Sequence, residues 1–122
     1  MSKKILQSKQ NDFPHYYKEC CIKDLIVDES TEKNWTLMWK QNDQTWKELP
    51  YLKLLYKDIM TNGLIHPIII WSPEKTLNVY IGRERVWIAK KKGYTHISAY
   101  NIINIEDRNM IKKHTTSYRL AA

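Results

Sequence analysis

The run Tyr80-Ile81-Gly82-Arg83-Glu84-Arg85-Val86-Trp87-Ile88-Ala89-Lys90-Lys91-Lys92-Gly93 passes from strand to helix through a single glycine. Residues 77–81 are predicted as a strand, closed by Gly82. Residues 83–92 are predicted as a helix with Val86, Ala89 and Trp87 directed inward and Gly93 as its stop. The first amides of a helix have no intrahelical acceptor, and the helix dipole is positive there. Glycine at such a junction lets an anion come close to the backbone. Arg83 and Arg85 fall within the first turn, where a cation opposes the dipole. Two arginines make sense there if an anion compensates, because phosphate accepts from both the amides and a guanidinium fork. From the residues alone a second reading stands beside this one: both arginines face solvent or pair with Glu84 and neighbouring acids.

Upstream, residues 49–62 form the clearest amphipathic helix. Leu52, Leu55 and Ile59 share one face, Lys53, Lys57 and Asp58 point outward, and Pro50 suits the first turn. Asn62-Gly63 is a stop signal, since both tolerate the left-handed conformation. Leu64-Ile65-His66-Pro67 then turns into Ile68-Ile69-Ile70-Trp71, a run apolar on both faces and so predicted as a buried strand. A third strand is predicted at 98–103, and Glu106-Asp107 opens a last short helix carrying Met110 and Ile111. Earlier, the middle of 16–27 is read as a strand and turn. Trp35 and Trp39 stand four apart on one helix face, where packing is the plainer role. Residues 1–15 are read as a flexible basic arm and 16–122 as a single domain.

Apolar residues make up 43% of the 122, enough for a core, and five Trp with eight Tyr argue against disorder. Met1-Ser2-Lys3-Lys4 leads into no apolar run of signal-peptide length, and no segment is long enough to span a bilayer. A soluble, cytoplasmic protein without membrane contact is expected. Cys20 and Cys21 are adjacent and form no CxxC, so they are read as reduced thiols on the early strand, a reactive thiol being the lesser reading. His15, His66, His96 and His114 show no metal-ligand spacing. The net charge of +7 favours polyanionic partners without choosing among them. Lys90-Lys91-Lys92 lies at a helix C-terminus, where positive charge is favourable in any case.

Two segments resemble known sequence boxes. Residues 62–70 are similar to the first box of ParB-like domains, in which a helix ends in Gly-Leu-Ile-Gln-Pro before a hydrophobic strand. Residues 80–94 are similar to the second, with Arg85, Ala89 and Gly93 at three, seven and eleven residues after Gly82. The resemblance spans roughly residues 49–105 and is to the ParB/sulfiredoxin superfamily. It implies an α+β fold, a small mixed sheet with packed helices. It implies a phosphate cradle at Gly82, Arg83, Glu84 and Arg85, faced by a loop of Gly63, His66 and Pro67. In that superfamily the cradle holds CTP in chromosome-partitioning proteins and ATP in sulfiredoxins, so CTP or ATP with magnesium is the implied ligand.

The departures are specific. Sulfiredoxins place their reactive cysteine where this chain has Arg83, so cysteine sulfinic acid repair is not expected. ParB carries Glu-Arg-Arg after the glycine where this chain reads Arg-Glu-Arg, and its Glu-Asn-Leu-Gln-Arg segment has no counterpart here. The tail from His114 to Arg119 is a candidate to supply polar groups in its place. The helix-turn-helix region that follows in ParB is not seen, so operator reading by that route is not expected either. The leading expectation is a stand-alone ParB-like domain that binds a nucleotide or a nucleic-acid backbone, in a phage or mobile-element DNA-associated protein, with a homodimer as a candidate assembly. One rival is a metal-dependent nuclease or nucleotide triphosphatase using Glu84. The other is a protein-interaction module anchored by exposed Trp35, Trp39 or Trp46.

Overall fold

The computed structural model describes residues 2–43 and 45–115. Its helices form where apolar spacing and end signals agree. Helix α1 (Glu29–Gln41) is capped by Asp28, whose carboxylate accepts from the Ser30 amide at 3.0 Å. It ends at Asn42, which is left-handed. Helix α2 (Leu49–Asn62) buries Leu49, Leu52, Leu55 and Ile59. Each such side chain contributes about 1.5–3 kcal/mol on leaving water, so burial of one face holds this helix more than propensity does. Gly63 closes it with a positive φ of 76° and an amide bond to the Ile59 carbonyl at 2.8 Å.

Five strands form one mixed sheet: β1 (Ile5–Leu6), β2 (Tyr17–Cys21), β3 (Ile68–Trp71), β4 (Asn78–Ile81) and β5 (His96–Ile102). Strand β5 is the hub. Its residues 96–100 pair antiparallel with β2. Its other edge must therefore take β1 at 96–97 and β3 at 99–102, both parallel. Strand β3 pairs antiparallel with β4. The architecture is α+β, with the remaining helices being α3 (Arg83–Lys91) and α4 (Ile105–Thr115).

Both faces of the sheet are covered, as the doubly apolar β3 predicts. Ile68 and Ile70 of β3, with Ile97 and Ala99 of β5, pack into the main core against α1, α2 and α3. Ile69, Tyr100 and Ile102 point to the opposite face, where Ile111 of α4 seals a second cluster. Met110, expected beside it on that helix, is 47% exposed.

Two expectations need correction. Within residues 1–15, read as a flexible arm, residues 5–10 are tied into the sheet and its neighbouring loop. Strand β1 lies against β5, Ser8 bridges Leu64, and the amides of Lys9 and Gln10 donate to the carbonyls of Leu64 and Ile65 at 2.9 Å each. Polar composition concealed this, because backbone pairing on a sheet edge asks little of the side chains. The tryptophans are also not exposed anchors. Trp35 is 7% exposed, and Trp39 and Trp46 pack against the core. Trp35 and Trp39 meet Trp87 edge to face at 6.2 and 5.5 Å.

Candidate functional site

Strand β4 delivers the chain to Gly82, whose φ of 105° turns it directly into α3. Only glycine fits here, for two reasons. The backbone is left-handed, and a Cβ would stand 2.6 Å from Ile68 Cγ2 and 2.9 Å from Ile68 Cβ. The turn is thus pressed onto the first residue of β3. The first helical bond runs from the Val86 amide to the Gly82 carbonyl at 3.1 Å. Gly82 supplies no side-chain cap, so the N-terminus of α3 relies on other partners for its first amides.

Residues 82–85 line a small cavity of about 80 Å³ together with Tyr51, Tyr80 and Ile81. Arg83 is exposed and Glu84 is half-buried. Arg85 is only 7% exposed. Arg85 keeps interactions within the fold, and its place in the first turn of α3, where the dipole is positive, is one that an added anion would favour.

The loop that was expected to face this turn runs from the end of α2 to the start of β3. Gly63 is half-buried and Pro67 is buried at the start of β3. His66 lies between them and feels the charge of Arg85. Its imidazole is held below the usual range first by burial, and then by Arg85 and His114, while Asp12 pulls the other way. The loop residues do not line the small cavity itself, which is closed by the two tyrosines instead.

Apart from His114, a candidate from the tail, the neighbours here had no sequence signal. Tyr51 comes from α2 and Tyr80 from β4. Arg108 of α4 stacks over the rings of Trp71 and Tyr80 at 4.6 and 5.0 Å, with Lys112 over Tyr80 at 5.4 Å. The Arg108 Nε is buried with no hydrogen-bond partner among the described residues. Asp12 and His114 meet at 3.3 Å although they lie at opposite ends of the chain. The tail residues Thr116, Ser117, Tyr118 and Arg119, named as candidates for this region, lie outside the described residues. Among the described residues no three His, Cys, Asp or Glu side chains converge as a metal-ligand group. No described helix is long and apolar enough to cross a membrane.

No family model and no curated protein matches the sequence. Among solved structures the chain is similar to the sulfiredoxin from Arabidopsis thaliana, at a TM-score of 0.49 and 19% identity, covering 77% of this chain and 93% of that chain. The likeness is one of chain trace. At this distance no side-chain role passes from that protein to this one.

Proposed function

We propose that this chain binds a phosphate-bearing ligand, a nucleotide or a nucleic-acid backbone, at residues 82–85. One observation carries the reading: Arg85, 7% exposed, sits in the first turn of α3 on the wall of a cavity. The cavity's size refines it. Sites that enclose a drug-sized molecule run to about 300–1,000 Å³. One of about 80 Å³ has room for a phosphoryl-sized group and leaves the rest of the ligand outside. Phosphate would be anchored and the sugar and base would lie over the surface.

The ligand class proposed is a nucleoside triphosphate, CTP or ATP with magnesium, as the likeness of residues 80–94 to the ParB second box implies. The net charge of +7 favours a polyanionic partner, and the setting proposed with it is a cytoplasmic, DNA-associated role of the phage or mobile-element kind. Hydrolysis is a second reading, favoured by Glu84 on the same cavity wall. Under it, Glu84→Gln abolishes turnover of the magnesium nucleotide while binding persists.

The test is thermal unfolding with and without CTP, ATP, GTP or a short DNA duplex, each with magnesium, on wild type and Arg85→Ala. A ligand that binds only the native state raises the melting temperature by mass action. A shift with one nucleotide that disappears in Arg85→Ala supports the cradle and names its ligand. A salt-sensitive shift with DNA alone moves the function to backbone binding. No shift with any ligand overturns the proposal.

A further inference from the structure

The sheet face that carries α4 holds an arginine that the phosphate reading has not used. Arg108 is half-buried, one turn into α4. Its guanidinium carbon stands 4.6 Å from the centre of the Trp71 ring and 5.0 Å from that of Tyr80. Trp71 ends β3 and Tyr80 belongs to β4, so the cation lies across two paired strands. Lys112, four residues on and so on the same helix face, reaches the Tyr80 ring at 5.4 Å.

Aromatic faces are all that hold this guanidinium. Among the described residues no carboxylate pairs with Arg108, and its buried Nε donates to nothing. The nearby acids of α4 are placed elsewhere: Asp107 accepts from the Tyr16 hydroxyl, and Glu106 is exposed. Stacking on rings answers the charge of an arginine but not the donors of its planar fork. A purely structural cation–π contact therefore accounts for the position of Arg108 and leaves its buried N–H unexplained. An acceptor from outside the chain would complete it.

The neighbouring cavity names that acceptor. Tyr80 belongs to both places: its ring carries Arg108 and Lys112, and it lines the cavity of about 80 Å³ beside Gly82 and Arg85. A phosphoryl group fills that cavity, and whatever is bonded to it continues outside. Toward α4 the continuation meets two cations on the Tyr80 ring, which favours further negative charge there. Glu84, on the same wall, is the charge that opposes it. Lys112 has other interactions within the fold and acts as a neighbouring charge.

We propose that Arg108 is a further phosphate-binding residue, taking the next phosphoryl of a polyphosphate chain that is anchored at residues 82–85. The proposal rests on the cradle proposed above and deepens it: the site selects a diphosphate or triphosphate over a monophosphate. On binding, the guanidinium exchanges ring faces for phosphate oxygens, and its Nε–H gains the acceptor it lacks.

The test is calorimetric titration of the full chain with orthophosphate, pyrophosphate and tripolyphosphate at fixed ionic strength. Wild-type affinity should rise along that series. Arg108→Met should lower tripolyphosphate affinity about tenfold or more, the weight of hydrogen bonds to a charged group, and leave orthophosphate within about twofold. Arg85→Met should lower all of them. Lys23→Gln removes the same charge at an exposed position just past β2 and should cost little. Arg108→Lys keeps the charge without the fork and should recover part of the loss. The Arg108 Nε–H resonance, assigned by its disappearance in Arg108→Lys, should shift with pyrophosphate and not with orthophosphate. An equal loss for every anion in Arg108→Met, a loss matched by Lys23→Gln, or a resonance unmoved by pyrophosphate would each overturn the role of Arg108, and the cradle would still stand on its dependence on Arg85. No binding by wild type, or binding indifferent to Arg85→Met, would overturn the cradle and this proposal with it.

Discussion

Gly82 and Gly63 are both residues of positive φ at the end of a helix, one before α3 and one after α2. Their surroundings differ. A Cβ on Gly63 would meet only the Lys9 Cε at 3.5 Å, an ordinary contact with the tip of a flexible side chain. A Cβ on Gly82 would enter Ile68, which is 1% exposed in the main core. The first glycine is demanded by packing and backbone together, the second by backbone alone. The candidate phosphate turn is therefore pressed onto the core at its glycine, whereas Gly63 meets only the tip of a flexible side chain.

The largest expected effect tests that contrast. Gly82→Ala combines a left-handed residue, costing about 1–2 kcal/mol, with overpacking of about 1–3 kcal/mol, so a loss of about 2–5 kcal/mol is expected in urea unfolding. Adding Ile68→Ala removes the Cγ2 and should return about 1 kcal/mol as a coupling between the two sites. Additive losses would mean that Gly82 does not press on Ile68.

The next effect is on the ligand. Arg85→Met keeps the aliphatic stem and deletes the guanidinium. Hydrogen bonds to a charged group contribute about 1.5–3 kcal/mol, so nucleotide affinity should fall about 10- to 150-fold by calorimetry. Arg83, exposed in the same turn, serves as the control: Arg83→Gln should cost less than Arg85→Met.

Gly63→Ala should cost about 1–3 kcal/mol, the backbone term alone, since Lys9 can move aside. A loss as large as that of Gly82→Ala would erase the contrast.

The smallest effect concerns pH. His66 is held below the ordinary imidazole value of about 6.5, so the unfolded chain binds its proton more readily. Its contribution to stability is full above about pH 6.5 and is lost as pH falls through that value toward the lowered folded one. His66→Asn should flatten the stability profile in that window while leaving it unchanged above pH 7. An unaltered slope would mean that burial does not hold the His66 imidazole below its ordinary value.

These effects also mark how far the sequence could be read. Helix α2 was legible to its end residues, because Leu52, Leu55 and Ile59 repeat at helical spacing and Gly63 stops the chain. The strand-glycine-helix passage at Gly82 was legible for the same local reasons, and so was burial of both faces of β3. What was not legible is what distant segments contribute. The contact of Ile68 with Gly82 needs two strands in register. Tyr51, Arg108 and the Asp12–His114 pair reach the region from elements far away in sequence. Strand β1 was hidden because two residues give no periodicity to count. The pairing of Cys21 with His96 follows from register alone and leaves no mark on either segment.

The central claim, a phosphate held at the start of α3, is tested most directly by amide NMR during titration with magnesium nucleotide. The account predicts that the amides of Gly82, Arg83, Glu84 and Arg85 shift together and saturably, that those of Gly63 and His66 follow weakly, and that Cys21 and His96 stay still. In Arg85→Met the same titration should leave the turn unmoved. Saturable shifts elsewhere with residues 82–85 silent, or no saturable shift at all, would contradict it.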